Sequence, residues 1–252
     1  MRGYDNMKSR RISILDTLRG ITLISMIGYH FTWDIVFLFG KDLPFMYTDA
    51  AYYWQQSICW SFIFLSSFCW SFGKHPVRRG LQVFFFGGII TIVTLLVMPD
   101  ERIVYGILTF LGSAMLLTYL LQPVLKRIFP EIGFLISFFS FLFTKKIARQ
   151  YLGIGALKLF LPHFLYRNLV TTYFGFPHPG FYSTDYFAIF PWIFLFFSGY
   201  FLYRFMEKKN WISKIPDWKE PFFSFLGKYS IWVYMIHQPL LYGIALLFSK
   251  LH

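Results

Sequence analysis

Uncharged stretches long enough to cross a lipid bilayer recur along this chain of 252 residues. Residues 50–73, 80–99, 103–125 and 186–203 contain no Asp, Glu, Lys or Arg, and 229–249 is interrupted only by the titratable His237. Each is near the ~20 residues that a helix needs to traverse the hydrocarbon core. With 56% hydrophobic residues, 23% aromatics, 14% charged residues and a mean hydropathy of +0.51, an ordinary soluble domain is excluded. The expected fold is an all-α integral membrane protein. It is a helical bundle of about seven transmembrane helices plus a short re-entrant or interfacial helix, forming a single domain over residues 1–252 with no internal repeat. The 34 Phe and 17 Tyr are spread throughout, so they read as lipid-facing and packing residues with no aromatic binding box among them.

A net charge of +12 raises the question of nucleic acid. The basic residues sit in short loops and form no continuous stripe, and orientation by the positive-inside rule accounts for them better. A cytoplasmic N-terminus puts Arg2, Lys8, Arg10, Arg11, Lys74, Arg78, Arg79, Lys126, Arg127, Arg204 and Lys208 on the cytoplasmic side. The C-terminus is then extracytoplasmic and the address a plasma (inner) membrane, crossed many times. Residues 1–11 lead into a span without a small-residue cleavage pattern, so a retained first helix is expected rather than a signal peptide.

The segment 131–185 admits two readings. Either the short run 132–144 crosses, or it is re-entrant and 151–170 makes the crossing instead. Cys59 and Cys69 are ten residues apart in one expected helix, which rules out a mutual disulfide, and no further metal ligands accompany them. No metal is expected.

The first expected span, around residues 15–34, carries Asp16, Arg19, His30 and Asp34. Ionisable groups at membrane depth cost several kcal/mol each and are kept mainly where function needs them. Arg19 and His30 are eleven residues apart. At ~100° per residue they return to nearly the same helix face, ~16 Å apart. Asp34 follows at i+4 from His30, in position to orient the imidazole, and Asp16 at i−3 from Arg19 can pair with it.

Four separated motifs carry a family resemblance: LDTLRGITLISMIGYHFTWDI at 15–35, YGILTFLG at 105–112, GFYSTDYFAIFPWIFLFFSGY at 180–200, and LGKYSIWVYMIHQPLLYG at 226–243. Together they resemble the bacterial relatives of the heparan-alpha-glucosaminide N-acetyltransferase catalytic domain, within the wider group of transmembrane acyltransferases. In that pattern GIL is commonly followed by His, where this chain has Thr109, so Thr109 is given no role.

The resemblance implies acyl transfer from cytoplasmic acetyl-CoA to an extracytoplasmic sugar or glycan. His30 then serves as general base on the acceptor hydroxyl or amine, with Asp34 orienting it. His237, sharing a face with Tyr234 at i+3, is read as lining the site, as proton donor to the leaving thiolate or as oxyanion donor. Arg19 is a candidate for a coenzyme A phosphate, against the alternative of a structural pair with Asp16, and Lys74, Arg78 and Arg79 are further phosphate candidates. Asp185 and Trp192 are read as acceptor-binding, with helix capping as the alternative for Asp185. Two other functions compete. A proton-coupled transporter would use His30, Asp34 and His237 as a relay, although no inverted repeat is visible. A non-catalytic membrane subunit would use none of them.

Overall fold

The structure, a computed structural model, describes residues 12–250, with side chains through Ile244. Arg2, Lys8, Arg10, Arg11 and His252 lie outside the described residues. The helices, in chain order, are α1 (Ser13–Trp33), α2 (Asp49–Trp70), α3 (Pro76–Val97), α4 (Ile107–Leu125), α5 (Pro130–Thr144), α6 (Leu169–Phe174), α7 (Ile189–Lys208), α8 (Pro221–Lys228) and α9 (Ser230–Lys250). A π-helical turn, Asp34–Leu38, continues α1. Proline opens α3, α5 and α8, where its missing N–H costs nothing and its φ is already helical.

Four helical segments among the described residues are both long and apolar enough to cross a membrane: Ser13–Leu38, Pro76–Val97, Ile107–Leu125 and Ile189–Lys208. α2 has the length, 22 residues, but Gln55, Gln56 and several Ser and Tyr dilute its apolar character. Large apolar side chains stand exposed along these helices, among them Leu96, Val97, Leu120 and Phe85, as lipid contact requires. Hydroxyls within the spans turn back onto their own helix, Thr22 to the Leu18 carbonyl, Thr32 to Gly28, Ser113 to Thr109 and Ser198 to Phe194. Buried polar atoms are thereby satisfied locally.

Two expectations are corrected. Residues 151–170 form no crossing helix. They hold a small antiparallel hairpin, Tyr151–Leu152 with Leu159–Phe160, followed by a 3-10 turn at His163–Leu165. Gly153 and Gly155 at positive φ, with Pro162 beyond, prevent a continuous helix there. Arg78 and Arg79 are not loop residues either, because α3 starts at Pro76 and they belong to its first turn.

The chain divides into two compact units, one taking the residues up to Leu65 and from Ser213 onward, the other Ser66–Ile212. In the first unit α1 meets α8 almost backbone to backbone. A methyl group at Gly20 would run into the Phe223 carbonyl, and one at Gly227 into the Asp16 carbonyl. The chain turns at Tyr229, and α9 then packs along the C-terminal half of α1, with His237 against His30 and Gln238 against Asp34. Trp54 of α2 donates to Ser25 Oγ of α1 at 2.8 Å.

In the second unit α3 and α4 run antiparallel at close range, Gly80 against Leu116, Phe84 against Gly112, and Gly87 against Thr109. Thr109 therefore sits at a helix crossing with no space around it, 8% exposed. α5 runs antiparallel to α7, with Gly133 against Phe201 and the Phe141 ring 5.4 Å from Trp192.

α4 is the most enclosed helix, every residue from Ile107 to Met115 being buried, and both its poles are held by charged side chains from the α7 region. Asp185 Oδ2 accepts from the Ile107 N–H at 3.1 Å at the N-terminus. At the other end the Arg204 guanidinium donates to the carbonyls of Leu125, Lys126 and Ile128 at 2.7, 3.1 and 3.1 Å. Each charge has the sign that the helix dipole favours, and each satisfies backbone groups that the helix leaves open. Asp185→Ala and Arg204→Ala are each expected to cost about 1–2 kcal/mol. A thermal melt of the purified protein in detergent measures this.

Candidate functional site

α1 presents its polar residues at two levels. Near its N-terminus Arg19 Nη1 pairs with Asp16 Oδ1 at 3.1 Å and donates to the Gly227 carbonyl at 3.3 Å. Asp16 is 6% exposed. The pairing with Asp16 is one the sequence allowed, and it extends to α8 across the Gly20 and Gly227 contact.

Near its C-terminus, on the face α1 turns toward α9, the His30 and His237 rings lie 5.1 Å apart between centroids. Tyr29 and Tyr234 flank them, at 6.0 Å from His30 and 5.2 Å from His237 respectively. Asp34 is fully buried at the start of the π-helical turn, a feature that often marks functional positions. Both its carboxylate oxygens accept from Gln238 Nε2, at 2.9 and 3.1 Å. Gln238 was missed by sequence reasoning. The available signal was its place beside His237, on the stretch of α9 opposite Asp34.

The hydrogen bonds fix the chemistry of α9. His237 Nδ1 faces the Tyr234 carbonyl, which only accepts, so Nδ1 carries the proton. A neutral ring then leaves Nε2 as an acceptor, and the oxyanion-donor role expected of His237 has no N–H to perform it in that state. His237 is 7% exposed, and its Nε2 has no partner among the described residues. Gln238 Oε1 is likewise buried without one. A buried acceptor left unsatisfied costs about 1–3 kcal/mol and calls for an explanation.

The second unit holds the other candidates. Lys74 and Arg78 are exposed at the start of α3, and Arg79 folds back over Gly73, where an added methyl would strike the guanidinium. Immediately upstream, Trp70 Nε1 and Ser71 Oγ are buried with no partner among the described residues. Sequence reasoning passed over both as ordinary span residues. These groups, two cations at the start of a helix and, a few residues earlier in the chain, an indole N–H and a hydroxyl, are each of a kind that suits an anionic oxygen. An open groove of about 780 Å³ runs from Arg78 along Leu81 and Phe85 to Tyr119. Asp185 caps α4, and Trp192 packs between Phe141 and Phe187, the latter at 4.9 Å. The structure thus brings Arg19, His30, Asp34, Tyr234 and His237 into one unit and Lys74, Arg78, Arg79, Asp185 and Trp192 into the other.

A predominantly helical membrane protein whose first long helix leads into a buried carboxylate, Asp34, and sets His30 against a second imidazole on α9 is the class that fold and site define. Within it, a family profile described as Heparan-alpha-glucosaminide N-acetyltransferase, catalytic, matches residues 11–239, and the chain belongs to that family. The match runs through both units. Comparison with curated proteins gave no match. Comparison with solved structures gave none either.

If the Asp16–Arg19 pair is structural, Arg19→Ala removes a cation from beside a buried carboxylate and should destabilise by about 1–3 kcal/mol, while Arg19→Ala with Asp16→Ala recovers most of the loss. Melting temperatures of the two variants measure this. A raised KM for acetyl-CoA in Arg19→Lys, with the melting temperature unchanged, would assign the guanidinium to the donor instead.

Proposed function

We propose that this protein is a transmembrane acyltransferase that moves an acetyl group from cytoplasmic acetyl-CoA to a nitrogen or oxygen of an extracytoplasmic saccharide. The observation that carries this is the His30–His237 pair set on the motifs of an acetyltransferase family. His30 acts as general base. As the acceptor heteroatom bonds to the thioester carbonyl carbon, its proton passes to the imidazole, and the carbon–sulfur bond breaks with its electron pair leaving on sulfur. Asp34, buried one turn beyond, stabilises the positive ring that results.

The donor's phosphates fall to Lys74, Arg78 and Arg79, supported by the unpartnered donors of Trp70 and Ser71. A single domain over 1–252 is proposed, in keeping with a family match over residues 11–239. Seven crossings are proposed: α1, α2, α3, α4, the short α5, α7 and α9. Antiparallel pairing of α3 with α4 and of α5 with α7, and the parallel courses of α4 with α7 and of α1 with α9, support that alternation. The N-terminus is then cytoplasmic, the C-terminus extracytoplasmic, and the host the plasma (inner) membrane.

His30→Ala should lower transfer by about 10²–10⁴-fold while leaving acetyl-CoA binding near wild type, because a base acts on the transition state. Asp34→Asn should fall between the two. The assay is transfer of labelled acetyl to a saccharide acceptor by purified protein. His30→Ala within a few-fold of wild type removes His30 from the chemistry.

The topology is tested by cysteine labelling in a background lacking Cys59 and Cys69. Residues near Arg78 and Lys208 should react only from the cytoplasmic side, and residues near Asp42 and His178 only from outside. Labelling near Lys146 from outside is expected if α5 crosses. Labelling there from inside makes α5 re-entrant.

A further inference from the structure

The acyltransferase reading leaves two buried acceptor atoms on α9 unused, His237 Nε2 and Gln238 Oε1. Neither is an accident of side-chain placement. The Tyr234 carbonyl fixes the His237 tautomer, with Nδ1–H donating and Nε2 bearing the lone pair. The Asp34 carboxylate fixes the Gln238 amide, since only its NH2 end can donate to both carboxylate oxygens, so Oε1 faces away from Asp34. Both residues lie against the stripe of α1 that carries His30 and Asp34. Two oriented acceptors with no donor among the described residues, beside an imidazole expected to act as base, call for a ligand rich in O–H or N–H groups.

We propose that His237 Nε2 and Gln238 Oε1 form the subsite that binds the hydrogen-bond donors of the acceptor, its hydroxyl or amine groups, and that Asp34 sets this subsite by holding the Gln238 amide. This rests on the acyltransferase reading for the identity of the nearby reaction, and it deepens that reading by naming what α9 does. His237 is a substrate-binding residue, not the proton donor to the leaving thiolate. Asp34 is a positioning residue that acts through Gln238 as well as on His30.

The roles separate kinetically. A binding subsite for the acceptor affects the acceptor KM, while a proton donor to sulfur affects kcat with the acceptor KM unchanged. Gln238→Met keeps the length of the side chain and removes both polar ends. It should weaken binding of glucosamine, used as probe, by at least about tenfold, the value of one good hydrogen bond in a buried site, and leave acetyl-CoA affinity unchanged.

Because Gln238→Met strips a partner from a buried carboxylate, its folding is controlled by a second variant. Asp34→Asn with Gln238→Glu reverses the direction of the bond, the Asn NH2 donating to the Glu carboxylate, and leaves one Glu oxygen to act as acceptor. Glucosamine affinity in that double variant should return to within about threefold of wild type. ¹⁵N-histidine spectra of the full chain in nanodiscs supply a readout that a purely structural role would not move. The His237 Nε2 resonance should shift on adding glucosamine in the wild type, and not in Gln238→Met.

The failures are distinguishable. Glucosamine binding that depends on Gln238, in a protein that neither binds acetyl-CoA nor transfers acetyl, keeps the subsite and overturns the acyltransferase reading. Transfer that proceeds with an acceptor KM indifferent to Gln238→Met keeps the reading and overturns the subsite. A wild type whose His237 signal and binding isotherm ignore both glucosamine and glucose also overturns the subsite.

Discussion

A charged side chain on a helix that crosses hydrocarbon must find its partner within reach of its own atoms, because no water is there to serve instead. α1 and the turn that continues it carry Asp16, Arg19 and Asp34, and groups far along the sequence reach the last two. The Arg19 guanidinium binds Asp16 and the Gly227 carbonyl, and the Asp34 carboxylate takes the Gln238 amide. Those two levels, one near each end of α1, determine where α8 and α9 lie. With α9 placed, His237 has nowhere to go but against His30. The imidazole pair is thus a consequence of how two charges are neutralised, and glycines at 20 and 227 permit the approach that makes it possible.

The same logic organises the second unit around α4. Its N-terminal N–H groups meet a carboxylate and its C-terminal carbonyls a guanidinium, both from residues flanking or ending α7. The remaining packing is shape. Gly80, Gly87 and Gly112 let α3 and α4 touch along their lengths, which dispersion rewards where lipid offers no hydrophobic gain. Asp185 was open in the sequence to either acceptor binding or capping, and its carboxylate caps α4 through the Ile107 N–H.

The sequence made the spans legible because length and the absence of charge are read one residue at a time. Expected runs 103–125 and 229–249 correspond to α4 (Ile107–Leu125) and α9 (Ser230–Lys250) within a few residues. What it hid was anything decided by tertiary partners. Arg78 and Arg79 looked like loop residues because charge normally ends a span, yet Pro76 starts the helix before them. The hairpin at 151–160 was mistaken for a candidate crossing because apolar content outweighed its glycines. His30 and His237 were each singled out, but their contact, the tautomer of His237 and the amide that holds Asp34 depend on residues some two hundred positions apart, where no local pattern points.

One feature of the chain's layout bears on how the protein is made. The unit that holds both imidazoles is discontinuous, its first part ending at Leu65 and its second beginning at Ser213. A ribosome delivers α1 into the membrane long before α8 and α9 exist. Throughout that interval Asp34 lacks the Gln238 amide and Arg19 lacks the Gly227 carbonyl. A newly inserted α1 is therefore a poorly satisfied helix, one for the insertion machinery or a chaperone to shelter, and a chain truncated before Pro221 would leave Arg19 and Asp34 without those partners. Quality control acting on such intermediates would discriminate by the arrival of the last helix.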